Sequence, residues 1–146
     1  MTQRIFQFNS PVKVRFAETD ANGHMSHVSI VIYMEQARTD YLAALGIFDQ
    51  ERIQRTKTTF VLAKQSVEYR NQAYFNEDLD VTCGVTRIGS SSLDIDYEIY
   101  NRANGRLIAT ASSTIVHFDI KAQKSAPLPA DLLELIAKVE GSSTTC

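Results

Sequence analysis

"SIVIYMEQARTDYLAALG", Ser29 to Gly46, decides the fold. Ile30, Tyr33, Met34, Ala37, Tyr41, Leu42 and Leu45 recur at three- and four-residue spacing, which lines them up on one face of a long helix. Gly46 follows the last of them, where a left-handed residue closes a helix without Cβ strain. At the other end Ser26 is a candidate N-cap. Met25 and Ile30 then occupy the two positions of a hydrophobic staple.

On both sides of the helix the hydrophobic period is two. Upstream, Val12, Val14 and Phe16 alternate with Lys13, Arg15 and Ala17, a half-buried strand. Downstream, Val61, Ala63, Gln65, Val67 and Tyr69 share a face, and the run Leu79 to Val85 follows. Leu93, Ile95, Tyr97 and Ile99 then alternate with Asp94, Asp96 and Glu98, and "RLIATASSTIVHF", Arg106 to Phe118, is a longer strand with small residues. Turn signals separate these runs: "NQAYFNED", "GSSS" and "NRANGR", the last carrying the hairpin dipeptide Asn104-Gly105. "PLPADLLELIAKVE" predicts a short terminal helix starting near Pro129 or Asp131. The order is strand, long helix, four strands joined mainly by hairpins, short helix. It lays the long helix on one face of an antiparallel sheet, an α+β sandwich.

The 146 residues, 44% hydrophobic, suit one domain with its core over about 12–139. A net charge of -2 argues against nucleic acid as a partner. "MTQRIFQFNS" has no apolar segment of the secretory type, and the run "VSIVIYM" is far short of the ~20 residues of a membrane span. Cys83 alternates with apolar neighbours in "LDVTCGV" and reads as a buried thiol, while Cys146 is the last residue. A disulfide is not expected, and the cytoplasm is the expected location. "GSSTTC", residues 141–146, reads as a frayed tail.

Between the first strand and the long helix lies "ETDANGHMSH", Glu18 to His27. The first N–H groups of a helix have no internal partner, and the dipole there is positive. With Ser26 as cap, the N–H groups of His27, Val28 and Ser29 point out of the helix end, able to hold an anion or a developing oxyanion. Asp20, on a Gly-containing turn just upstream, can face the same spot. An acid or nucleophile beside an oxyanion hole suits acyl transfer. The same Asp also suits a plain turn or capping role, and the residues alone leave both open. His24 and His27 have no cysteine or third histidine nearby, and His117 lies in a distant strand, so neither a metal nor a cofactor is expected. Glu18 continues the Val12–Val14–Phe16 face and can pair with a helix residue. Glu35 and Arg38, three apart, can form an intrahelical pair. No nucleophile elbow, P-loop or dinucleotide fingerprint occurs.

"VRFAETDANGHMSHVSIVIYMEQAR" resembles the signature of hotdog-fold acyl-CoA thioesterases of the 4-hydroxybenzoyl-CoA thioesterase class. The likeness rests on Glu18-Thr19-Asp20, Gly23 and Glu35-Gln36-Ala37-Arg38, and "SVEYRNQAYFNEDLDV" resembles that family's next strands. It spans roughly Val12 to Leu132. The resemblance implies a hotdog fold: a long central helix wrapped by a five-stranded antiparallel sheet. It implies a homodimer, often paired into a homotetramer, with sites at the subunit interface. The implied reaction is hydrolysis of an acyl-CoA or acyl carrier protein thioester, with coenzyme A part of the substrate. Asp20 matches the family's catalytic Asp, nucleophile or general base. The backbone N–H at His27 matches the group that polarises the thioester carbonyl, and the His27 side chain matches a histidine of one family branch. Ser26-His27 stands where many relatives have Asn-Asn, and Ile30 where they have Tyr. These positions line the pocket mouth.

Substrate contacts are expected from Gly23, His24 and Ser26, and, for the coenzyme A phosphates, from Arg87, Ser91 and Ser92 in "RIGSSS". Arg70 and Lys64 are weaker phosphate candidates, and Glu35 is expected to anchor the loop. Two alternatives stand beside this reading. An enoyl-CoA hydratase of the same fold would use an Asp and a His, and "DANGH" supplies Asp20 and His24 without that motif's Pro and one residue short of its spacing. A non-catalytic acyl-CoA-binding protein would keep the fold but not need the acid.

Overall fold

The computed structural model describes residues 6–140, so the expected tail at 141–146, including Cys146, lies outside the described residues. The elements are β1 (Phe8–Lys13), a single 3-10 turn (Phe16–Glu18), α1 (His27–Leu45), α2 (Gln50–Thr56), β2 (Thr58–Tyr69), β3 (Asp78–Ile88), β4 (Ser92–Asn101), β5 (Leu107–Asp119), β6 (Lys124–Ser125) and α3 (Leu132–Glu140). The sheet is antiparallel in the order β1-β3-β4-β5-β2, with β6 added on β5. It curls around α1, the hotdog arrangement.

Helix α1 forms for the reasons its sequence gives. Ser26 accepts from the Val28 N–H at its start, and Gly46 ends it at φ 81°. Ile30, Tyr33, Met34, Ala37, Tyr41, Leu42 and Leu45 are all buried, against Leu79, Val81 and Cys83 of β3 and Leu93, Ile95, Tyr97 and Ile99 of β4. Each large apolar side chain buried this way contributes about 1.5–3 kcal/mol. Cys83 is a free, buried thiol, and burial pushes its pKa up to about 12. α3 covers the β1 end of the core, where the Tyr41 hydroxyl donates to the Glu140 carboxylate.

Several expectations need correcting. The first strand ends at Lys13, paired with Asp78, rather than running to Phe16. Val12 and Val14 do face inward, but the Glu18 N–H donates to Arg15 O, closing a turn that lifts the chain off the sheet and leaves Phe16 77% exposed. The sheet has six strands rather than five because Phe118 and Asp119 pair with Ser125 and Lys124, and a two-residue strand has no period to read. α2 was invisible for a similar reason: Asp49 caps it, but it buries no side chain. On β2 the pairing shifts register between Leu62 and Lys64, which breaks the expected face between Val61 and Gln65; Val61 is exposed, and so is Tyr69 at the strand's end, on the same side as the partly buried Val67.

Arg38 does not pair with Glu35. It is buried under the sheet, where Nη1 donates to the Tyr97 hydroxyl at 3.3 Å and to Ser113 Oγ at 3.5 Å. Most consequentially, β2 and β3 do not form a hairpin: β2 pairs with β5, and β3 with β1 and β4. The chain therefore crosses the end of the sheet through residues 70–77, directly beneath the Glu18–His27 loop.

Candidate active site

The loop from Glu18 to His27 is held at both ends. At its start the Glu18 carboxylate is nearly enclosed. Oε1 accepts from the Arg15 N–H (3.0 Å) and the Tyr33 hydroxyl (2.7 Å), and Oε2 accepts from the Arg15 guanidinium at 2.6 and 3.1 Å. Burial pushes the Glu18 pKa up, but these hydrogen bonds outweigh it and hold the carboxyl below its usual value. The same geometry raises the pKa of Tyr33, through burial and then through its bond to Glu18. Glu18 O also receives the Ser26 N–H at 2.7 Å and Ser29 Oγ at 3.0 Å, tying the loop's entrance to the start of α1. The expected pairing of Glu18 with a helix residue is therefore made by Tyr33. Glu35 is exposed two turns further along, and among the described residues it makes no hydrogen bond to the loop. The anchor role expected of Glu35 belongs to Glu18.

The middle of the loop is a tight turn. The Gly23 N–H donates to Asp20 O at 3.1 Å, with Gly23 at φ 82°, a conformation that disfavours any side chain. Asp20 shapes this turn with one carboxylate oxygen: Oδ1 accepts from the N–H groups of Asn22 (2.9 Å) and His24 (3.2 Å). Its Oδ2 has no hydrogen-bond partner among the described residues, and the side chain is exposed. The capping reading and the catalytic reading of Asp20 thus concern different oxygens. Beyond the turn, the Met25 N–H donates to Ala73 O at 2.7 Å, and His24 lies against the Tyr74 ring at 5.1 Å, which fastens the loop to the 70–77 crossover.

At the helix end, Val28 N–H is taken by Ser26 Oγ at 3.4 Å and Ser29 N–H by Ser26 O at 2.9 Å. Of the three N–H groups expected to be available, only that of His27 has no acceptor among the described residues. The Tyr69 hydroxyl donates to His27 O at 2.7 Å, so the end of β2 fixes this first helical residue.

Asp20, His24 and His27 line a single cavity of about 450 Å³. Gly23 and Ser26 serve it indirectly, as turn former and helix cap. The opposite wall holds residues the sequence did not mark: Tyr69, Asn71, Tyr74 and Arg106, together with Arg70, which it ranked low. Arg106 is oriented by Asn71, whose Oδ1 accepts from Nη2 at 2.8 Å and whose Nδ2 donates to Leu107 O at 2.6 Å. Nothing in "NRANGR" says that this hairpin abuts the Asp20 loop, because that depends on β5 lying beside β2.

Arg87, Ser91 and Ser92 lie elsewhere in the chain. They sit at the other end of β3, roughly 30 Å along an 11-residue strand from the 70–77 crossover. Arg87 is bound there to Asp94 at 2.8 Å and to Ser92 Oγ at 3.3 Å. Within one chain they do not join the Asp20 cavity.

The geometry can place a carbonyl oxygen at the His27 N–H, on the positive end of a 19-residue helix, with a carboxylate oxygen beside it. Residues 14–136 match the thioesterase-like superfamily. The acyl-CoA thioester hydrolase YbgC of Escherichia coli O6:H1 is 31% identical over 126 residues, covering 86% of this chain and 92% of that protein. The uncharacterized protein YsmA of Bacillus subtilis is 36% identical over 92 residues, covering 63% of this chain but only 60% of that protein. Among solved structures, Slr0204, a 1,4-dihydroxy-2-naphthoyl-CoA thioesterase from Synechocystis, superimposes with a TM-score of 0.81 at 22% identity, covering 92% of this chain and 98% of that one.

Proposed function

The chain belongs to the thioesterase-like superfamily, and from that premise we propose that it hydrolyses acyl-CoA thioesters to a free acid and coenzyme A. The carrying observation is that Asp20 and His27, whose N–H has no acceptor among the described residues, line one cavity at the helix N-terminus. The name and coverage of YbgC support the substrate class.

In this reading the thioester carbonyl oxygen docks on the His27 N–H. Asp20 Oδ2 either takes a proton from water as the water oxygen adds to the carbonyl carbon, or adds to that carbon itself. The carbonyl electron pair moves to oxygen, where the N–H and the helix dipole stabilise it. Its return expels the coenzyme A thiolate. On the water route the proton on Asp20 then passes to the thiolate; on the covalent route water cleaves the acyl-Asp20 anhydride. When water cleaves that anhydride at the Asp20 carbonyl, a single turnover in heavy-oxygen water leaves label in Asp20, which the water route never does.

The anionic part of the substrate meets Arg106 and Arg70 on the cavity wall. Arg87, Ser91 and Ser92 fit the same task only from a second copy. β2 supports such a homodimer: among the described residues it pairs only with β5, and it presents Val61, Leu62 and Tyr69 on an open edge. Antiparallel pairing of two β2 edges would bring the partner's β3–β4 turn toward the Tyr69 end, where the cavity lies. The free thiol of Cys83 supports a cytoplasmic location. Among the described residues no helix is long and apolar enough to cross a membrane.

The test is thiol release from a panel of acyl-CoAs by the protein and by Asp20→Asn. Release that is lost in the variant is expected. Loss of enoyl absorbance without thiol release would instead identify a hydratase, and binding without turnover a carrier.

A further inference from the structure

We propose that Tyr69 is a positioning residue: its hydroxyl, bonded to the His27 carbonyl, holds the His27 N–H in the direction the thioester oxygen needs. The role rests on the hydrolase reading of this site and adds to it a residue from the sheet.

The start of a helix is its least determined part, because its first N–H groups have no partner in a preceding turn. Here the cap is loose. The Val28 N–H reaches Ser26 Oγ only at 3.4 Å, beyond the usual range of an N–H···O bond. The Tyr69 hydroxyl donates to His27 O at 2.7 Å and is the shorter tie. It acts on the residue whose own N–H has no acceptor among the described residues. A carbonyl in the first turn already has a donor in the helix ladder, the N–H four residues on, so the hydroxyl is not needed to satisfy it. Its effect is geometric. The tie is also anchored at its other end. Tyr69 closes β2 opposite Ala109, and the N–H groups of Arg70 and Asn71 both donate to Ile108 O, at 2.8 and 3.1 Å. The hydroxyl thereby transmits the position of the sheet to the first residue of α1. The Tyr69 ring is 51% exposed and stands edge-on to the His27 imidazole at 6.4 Å. Water can replace an exposed hydroxyl as a donor, so the bond adds little to stability, but water does not fix a direction. As the thioester carbonyl becomes an oxyanion, its bond to the His27 N–H strengthens only along that direction. A misaimed N–H therefore weakens the transition state more than the bound substrate.

Tyr69→Phe removes the oxygen alone and keeps the ring, with its share of the open β2 edge. The expected result for acyl-CoA hydrolysis is a kcat lower by about tenfold with KM nearly unchanged. Melting temperature and oligomeric state should stay as they are. A second readout needs no turnover: the order parameter of the His27 amide from NMR relaxation should fall in Tyr69→Phe, while that of Ala37 in the middle of α1 stays constant. If the unaltered protein releases no thiol, the hydrolase reading fails, and the His27 amide alone still decides whether Tyr69 fixes it. An undiminished kcat in the variant of an active protein, a rise in KM in place of the kcat loss, or a His27 amide as ordered as before would each overturn the role.

Discussion

Two carboxylates stand two residues apart in one loop, and the fold treats them oppositely. Glu18 is buried, with both oxygens accepting from Arg15 and one also from Tyr33. Asp20 is exposed, with one oxygen spent on its own turn and the other unpartnered within the described residues. The difference separates two tasks that a sequence of clustered acids leaves merged. The satisfied carboxylate fixes the position of the loop, and the unsatisfied one is available for chemistry.

The comparison breaks most sharply at Asp20. Asp20→Asn keeps an acceptor for the Asn22 and His24 N–H groups, so thermal stability is expected to stay nearly constant. Thioester hydrolysis is expected to fall about 10²–10⁴-fold. An active Asp20→Asn protein would collapse the division of labour. Glu18→Ala should do the reverse, costing about 2 kcal/mol in denaturant unfolding through lost charged hydrogen bonds and the orphaned Tyr33 hydroxyl. Its activity per folded molecule should fall far less than that of Asp20→Asn.

Acid titration sharpens the same contrast. Because the folded-state pKa of Glu18 is depressed, its contribution is fully present above the ordinary carboxyl range and is lost as pH falls through the lower folded value. Unfolding free energy should therefore decline below about pH 4.5 in the unaltered protein, and this limb should be shallower in Glu18→Gln. Gly23→Ala, forced to φ 82°, is expected to cost about 1 kcal/mol and to slow turnover by displacing Asp20. The smallest effect is expected at the cavity's far wall, where Arg106→Ala should raise KM several-fold with kcat nearly unchanged. A kcat loss there instead would move Arg106 into the chemistry.

The central helix was legible because its apolar spacing, its Ser26 cap and its Gly46 stop all agree, and burial then follows the pattern residue for residue. β4 was equally plain. The loop's turn from Asp20 to Gly23 and its Ser26 cap were also readable, because a cap and a turn are local features. What the sequence concealed was non-local. Arg38 looked like a surface partner for Glu35, yet it points under the sheet to Ser113, 75 residues away. Arg106 and Tyr69 reach the site only through the β5–β2 pairing. Arg87 and its serines belong to the opposite end of β3, a separation that no local pattern encodes. Phe16 continued a strand alternation that the 3-10 turn interrupts.

The split use of the Asp20 carboxylate has an evolutionary consequence. Of the two carboxylate oxygens only Oδ1 shapes the turn, so asparagine at this position would preserve the loop, the cavity and the helix end while discarding the oxygen that has no partner among the described residues. Aspartate and asparagine codons differ by one nucleotide. Under the mechanism proposed above, a hydrolase on this scaffold is a single mutation from a protein that holds a thioester intact, with no rebuilding of the fold. Descendants that carry ligands rather than cleave them should be readily reached from it.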